Sequence, residues 1–137
     1  MATTPYDPRL VIVILGGHEV SGYADGTFIN VEPHGDGVTK EVGADGEAVR
    51  SIDPDETATV TLTVQYGTET AAWATARYKM DRDTHGEGGF PIMIKDLKGS
   101  MLFSAEDAWI QNNPARNFEK TATNCEINID TGKAAWS

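Results

Sequence analysis

The side chains able to do chemistry in this chain are scattered rather than convergent. His18, His34 and His85 lie far apart, and none falls in a ligand spacing such as H-x-x-x-H or beside the lone Cys125, so no shared metal site is expected. Asp25, Asp45, Asp53 and Asp55 sit among Gly and Pro residues. No segment supplies the alternating carboxylates and distal Glu of a calcium loop, which leaves turn formation as their reading. The "HGEGG" of 85–89 lacks the lysine and the strand-to-helix context of a phosphate cradle and reads as a loop. Ser21, Ser51, Ser100 and Ser104 have no nucleophile-elbow context. Cys125 alternates with Glu126, Ile127, Asn128 and Ile129 as a small strand side chain would, rather than as a reactive thiolate. Glu106 and Asp107 are adjacent carboxylates, but neighbours on a regular strand point to opposite faces. No enzyme activity, cofactor or metal is therefore expected. Trp73, Trp109 and Trp136 raise a different class, a monomeric carbohydrate-binding β domain. Trp73 is better assigned to a helix–sheet core, and Trp109 lacks an aromatic neighbour on its own face.

What the chain offers instead is a surface. In "ETATVTLTV", residues 56–64, Thr57, Thr59, Thr61 and Thr63 alternate with Ala58, Val60, Leu62 and Val64. On a strand this puts apolar groups on one face and a row of uncharged hydroxyls on the other. Threonine also favours strands that simply face bulk solvent, so the row alone does not settle what it faces.

The elements that position this row follow from turn signals. "RLVIVIL" (9–15) is β-branched and apolar on both faces, which calls for cover on both sides from a second sheet, the helix or another subunit. Its apolar core, 10–15, is far too short to cross a bilayer. "TFINVEP" is a strand ended by Pro33, and residues 38–52 form a hairpin reversed near Asp45-Gly46. Residues 68–80 form the single helical window, with Thr68 as N-cap and Trp73, Ala76 and Met80 on one side. Residues 81–89 read as an exposed loop. "IMIKDL", a turn at "LKGS", "MLFSA", "DAWIQ", "ARNFEK" and "TNCEINID" read as further strands before a frayed tail at Trp136 and Ser137.

The reading is one domain over 1–137, mainly β, with nine or so short strands in a sandwich or barrel and one flanking helix. Eleven Lys and Arg against 21 Asp and Glu leave a net charge of −10, which argues against a protein that grips nucleic acid through its phosphates. A single cysteine excludes an intrachain disulfide framework. "MATTPYDPRL" has no basic region ahead of an apolar stretch, so neither a secretory signal nor membrane insertion is expected. So many strands leave sheet edges, and one way to satisfy them is to continue the sheet into neighbouring copies.

Four phrases, "GGHEVSGYADGTFINVE" (16–32), "VGADGEAVRS" (42–51), "ATVTLTV" (58–64) and "IKDLKGS…AEDAWIQNNPARNF" (94–118), together resemble a family of bacteriophage structural proteins, the tail tube proteins of contractile-tailed phages. The likeness runs in order through most of the chain and thins at 65–83 and 123–137. It implies a tail-tube-type β-sandwich with a flanking helix whose strands contribute to a multi-subunit barrel. It further implies a homohexameric ring, stacked into a tube inside a sheath, with sheath, baseplate and tape-measure proteins as partners. The implied setting is the virion tail, assembled in the host cytoplasm, with DNA passing transiently and without sequence specificity. About 24 strands at ~4.8 Å, tilted near 45°, would enclose a circle roughly 50 Å across, wider after side chains than duplex DNA.

A channel for a moving polyanion should be wet and poor in cations, because each lysine or arginine would hold a phosphate. On this reading Thr57, Thr59, Thr61 and Thr63 are expected to line the lumen, with Glu41, Glu47, Asp53 and Asp55 adding negative potential. Lys40 and Arg50, in the same hairpin, would pair with carboxylates between subunits. The 38–52 hairpin is expected to reach a neighbouring ring through Val42, Gly43, Ala44, Asp45, Gly46 and Glu47, with 81–89 as the alternative axial contact. A tube subunit of a phage-tail-like bacteriocin or secretion machine, through which no DNA passes, fits the same residues.

Overall fold

The computed structural model describes residues 3, 5–98, 102–116 and 118–136. After a 3-10 turn at Pro8–Leu10 come β1 (Val11–Leu15), β2 (His18–Glu19), β3 (Ile29–Pro33), β4 (Val38–Val42), β5 (Ala48–Ile52) and β6 (Ala58–Val64). Helix α1 (Glu69–Asp83) follows, then β7 (Phe90–Asp96), β8 (Leu102–Ile110), β9 (Cys125–Thr131) and β10 (Ala134–Trp136). All pairings are antiparallel. The main sheet runs β2-β1-β7-β8-β9-β6-β3 with β10 also on β8, while β4 and β5 form a separate two-stranded ribbon. This is the expected mainly β architecture with one helix.

Strands β9 and β10 act as one interrupted strand beside β8. Ile110 pairs with Ile129 and Ala108 with Thr131 before the break; Ala105 pairs with Ala134 and Phe103 with Trp136 after it. The break at Gly132-Lys133 lies opposite Glu106-Asp107, where β8 bulges against β7: Phe90 faces Ala108, but Ile92 faces Ala105. An extra residue on one strand bends it and shifts the alternation of its side chains. Ala105 and Ala108, three apart, are accordingly both buried, and Glu106 and Asp107 are both exposed. The sheet thus divides into two leaves. The first holds β2, β1, β7, the start of β8 and β10; the second holds the end of β8, β9, β6 and β3.

One core lies between them. Val13, Leu15, Ile92 and Phe103 come from the first leaf, and Val60, Leu62, Ile127, Ile129 and Ile110 from the second. Burying each such side chain contributes about 1.5–3 kcal/mol. Helix α1 joins this core through Ala74 and the fully buried Thr70.

Several expectations are corrected. The helix extends to Asp83, so residues 81–83 are helical and only 84–89 form the loop. Thr68 is the N-cap residue, but its side chain makes no capping bond; its methyl instead abuts Gly22, where a positive φ and the close contact both favour glycine. The fully buried helix residues are Thr70 and Ala74; Trp73 is half-buried and packs against the core as expected, whereas Ala76 is exposed and Met80 is 45 % exposed. Small residues at the contact let the helix sit close to the sheet, and Trp73 turns sideways onto His18 and Phe90. The strands expected at 101–105 and 107–111 are continuous through the bulge as β8, although Met101 lies outside the described residues. "ARNFEK" is irregular where described, with Phe118 78 % exposed, and Asn117 lies outside the described residues. Trp136 belongs to β10 and packs edge-on against Phe103 instead of fraying. Gly99 and Ser100 of the "LKGS" turn, and Ser137, lie outside the described residues. No described helix is long and apolar enough to cross a membrane.

Candidate functional site

The threonine row lies on the outer face of the second leaf. Ala58, Val60, Leu62 and Val64 of β6 are wholly buried, while Thr59, Thr61 and Thr63 between them point away from the core and are half-buried. Because β6 is an inner strand, the row continues sideways through the register. Glu32, Thr59, Asp130 and Trp109 form one line across β3, β6, β9 and β8; Asn30, Thr61 and Asn128 form the next; Thr63 and Glu126 form a third. Two of the hydroxyls are tied to these neighbours. Thr59 donates to Asp130 Oδ1 at 2.9 Å, Thr61 to Asn128 Oδ1 at 3.2 Å, and Asn30 donates to Glu32 Oε1 at 3.2 Å. His34 reaches Thr59 Oγ1 from the end of the row, 3.7 Å from Asp130 Oδ1.

No lysine or arginine stands in these three lines; Glu32, Glu126 and Asp130 supply the formal charge. Such a face holds water through acceptors and hydroxyls and offers a phosphate no lysine or arginine. Chain residues flanking β6 supplement it. Thr57 lies just before the strand, and its backbone N–H and hydroxyl both donate to Asp55 Oδ1, at 2.9 and 2.6 Å. The hydroxyl first, then the N–H, hold the Asp55 carboxyl below its ordinary value. Asp53 accepts from the N–H groups of Asp36 and Asp55 at 3.0 and 2.9 Å. Asp53 and Asp55 are turn-forming carboxylates at the start of the row.

Glu41 and Glu47 are elsewhere. They belong to the β4–β5 ribbon, which shares no ladder with β6. The inter-ring candidates form its tip: Val42 ends β4, and Gly43, Ala44, Asp45, Gly46 and Glu47 make the reversal. Gly43 N–H donates to Glu47 O, Gly46 N–H to Gly43 O, and Glu47 N–H to the Asp45 carboxylate. Gly46 has φ +88°, a conformation that favours glycine. All ten residues of β4 and β5 are exposed.

The remaining chemical candidates stay apart. His18 stacks on Trp73 and lies 3.1 Å from Thr70 Oγ1, and His85 sits in the loop after α1. Among the described residues no group of three or more His, Cys, Asp or Glu could hold a metal. The tryptophans share no platform: Trp73 contacts His18 and Phe90, Trp136 contacts Phe103, and Trp109 lies in the Asp130 line. Cys125 lines a groove of about 610 Å³ beside α1, and burial pushes its thiol pKa up. The sequence reading missed Asn30, Glu32, Glu126, Asn128, Asp130 and Trp109 as partners of the threonines. Their signal was present, since "INVE" and "CEINID" alternate as β6 does; what the sequence lacks is the strand order that joins them.

No known family profile matches the chain. It is 26 % identical over 123 residues to structural protein ORF10 of Pseudomonas phage KPP10, covering 85 % of this chain and 71 % of that protein. Its fold is shared with chains of contractile injection machines. The tube terminating cap of the anti-feeding prophage matches over 100 % of this chain and 93 % of its own, at TM-score 0.61 and 12 % identity. A sheath/tube terminator of the extracellular contractile injection system PVC, in its extended state, matches over 100 % and 99 %, at 0.58 and 11 %. A chain of the PVC sheath-tube complex matches over 97 % and 91 %, at 0.56 and 13 %. The sequence likeness is thus to a phage structural protein and the fold likeness to contractile injection machines, in line with the expected phage tail-related family.

Proposed function

We propose that this chain is a non-enzymatic structural subunit of a phage tail, forming hexameric rings that stack into a tube. The second-leaf face of Thr59, Thr61, Thr63 and their acidic and amide neighbours lines the channel, through which DNA passes during ejection. The observation that carries the reading is the absence of lysine and arginine from that face, in a chain that has eleven of them. Thr57, Asp53 and Asp55 extend the lining at one end, whereas Glu41 and Glu47 lie on the projecting ribbon and serve ring-to-ring contact with the 42–47 tip. The loop after α1 is the alternative axial contact. Sheath, baseplate and tape-measure proteins are the partners of the assembled tail, and assembly takes place in the host cytoplasm.

The similarity to tube terminators favours a second reading, a single ring that ends the tube. Negative-stain imaging of the purified protein separates the two: hollow rods of uniform bore support the tube subunit, isolated rings support the terminator, and compact monomers overturn both. Whether DNA or only protein passes is tested by placing lysine at Thr61, which slows ejection of DNA from particles that carry it.

A further inference from the structure

The β4–β5 ribbon is unpartnered on both faces. Register puts Val38, Lys40 and Val42 on the same side as Ile52, Arg50 and Ala48, with Lys40 directly opposite Arg50. Val38, Val42 and Ile52 are 56 %, 57 % and 71 % exposed. Like charges facing each other across a ladder are unfavourable, and so are aliphatic side chains left in water. Neither cation takes part in an ion pair among the described residues. One face of the ribbon is therefore both apolar and positive, on a molecule of net charge −10.

The complement lies at the bulge. A groove of about 760 Å³ opens there, with Ile14, Pro91, Met93 and Ala135 in its lining and Glu106 and Asp107 beside them. The bulge places both carboxylates on the surface, where a regular strand would separate them. Neither is in an ion pair among the described residues. Lys133 also lines the groove, but its Nζ lies 3.3 Å from Glu56 Oε2, which offsets its charge. Ile14 and Met93 belong to the outer face of the first leaf, away from the core. β1 is apolar on both faces, and this is the face its own core does not cover.

We infer that the bulge groove is the seat for the β4–β5 ribbon of a second copy, with Val38, Val42 and Ile52 against the aliphatic lining and Lys40 and Arg50 against Glu106 and Asp107. Apolar contact supplies the burial, and the two charge pairs seat the middle of the ribbon against the bulge. The contact joins two different patches, so it is heterologous and propagates from copy to copy. It rests on the reading of the chain as a self-assembling subunit and names the two surfaces that meet.

The test is charge reversal with rescue in the full chain. Lys40→Glu/Arg50→Glu and Glu106→Lys/Asp107→Lys are each expected to lower the assembled fraction in sedimentation about tenfold, and mixing the two reversed chains is expected to restore it. In a Cys125→Ser background, Val42→Cys and Ala135→Cys are expected to form an interchain disulfide on oxidation, and Val42→Cys alone is not. Reversed chains that assemble as the wild type does, or a double-cysteine chain that fails to cross-link, overturn the docking and leave the tube reading standing. A wild-type chain that stays monomeric at high concentration overturns both.

Discussion

The two leaves share one sheet and the same alternation of side chains, yet their outer faces differ in composition. The second leaf presents Thr59, Thr61, Thr63, Asn128 and Asp130 with the single aromatic Trp109; the first presents Ile12, Ile14, Met93 and Leu102, with Lys95 and Ser104 among them. Inner faces are uniform, because any core requires apolar groups. Outer faces differ because they answer to what lies beyond the chain: water in one case, and in our reading another copy in the other. Strand periodicity reports which residues share a face; composition of that face reports its neighbour.

The comparison is broken or sharpened by substitutions placed on either side of it. The largest effect is expected inside: Leu62→Ala should lower stability by about 2–5 kcal/mol in urea unfolding, whereas Thr61→Ala, one residue away, should lower it by less than about 1 kcal/mol. Equal losses would mean that the threonine face is packed. Next, Thr59→Val keeps the shape but leaves Asp130 without its hydroxyl donor, for an expected loss of about 1 kcal/mol; no loss would remove the ladder as a stabilising feature. Third, Ile14→Thr should change monomer stability by less than about 1 kcal/mol yet reduce assembly, while Thr63→Ser should do neither. Assembly indifferent to Ile14 would erase the distinction between the faces. The smallest effect concerns Cys125: with its thiol pKa raised by burial, it should react with iodoacetamide at pH 8 more slowly than an unhindered thiol, and a faster reaction would place it in water.

Much of this was legible in the sequence because local rules sufficed. Asp45-Gly46 fixed the ribbon, since Gly46 must take a positive φ, and the alternation of 56–64 set the burial of β6 residue by residue. Long-range features were not legible. Ala105 and Ala108 look out of phase for one strand, and only the register with β7 reveals the bulge that reconciles them. Hydrophobic size alone does not identify the helix face: close approach selects Thr70 and Ala74 for full burial, Trp73 packs at the side, and Met80 stays in water. The acidic partners of the threonines come from β3 and β9, distant in the chain (Asp130 lies 71 residues from Thr59), joined by a strand order that no local pattern encodes. For the same reason Glu41 and Glu47, near the row in sequence, are on a different sheet.

The doubled break at Glu106-Asp107 and Gly132-Lys133 carries a consequence for descent. Where two neighbouring strands lose their phase together, the angle between the leaves depends on how many residues occupy the step, and far less on which ones they are. Substitutions can accumulate there freely, but gaining or losing a single position would turn everything downstream inside out, so this corner should record conserved length across diverging lineages even where no letter of the alphabet is shared.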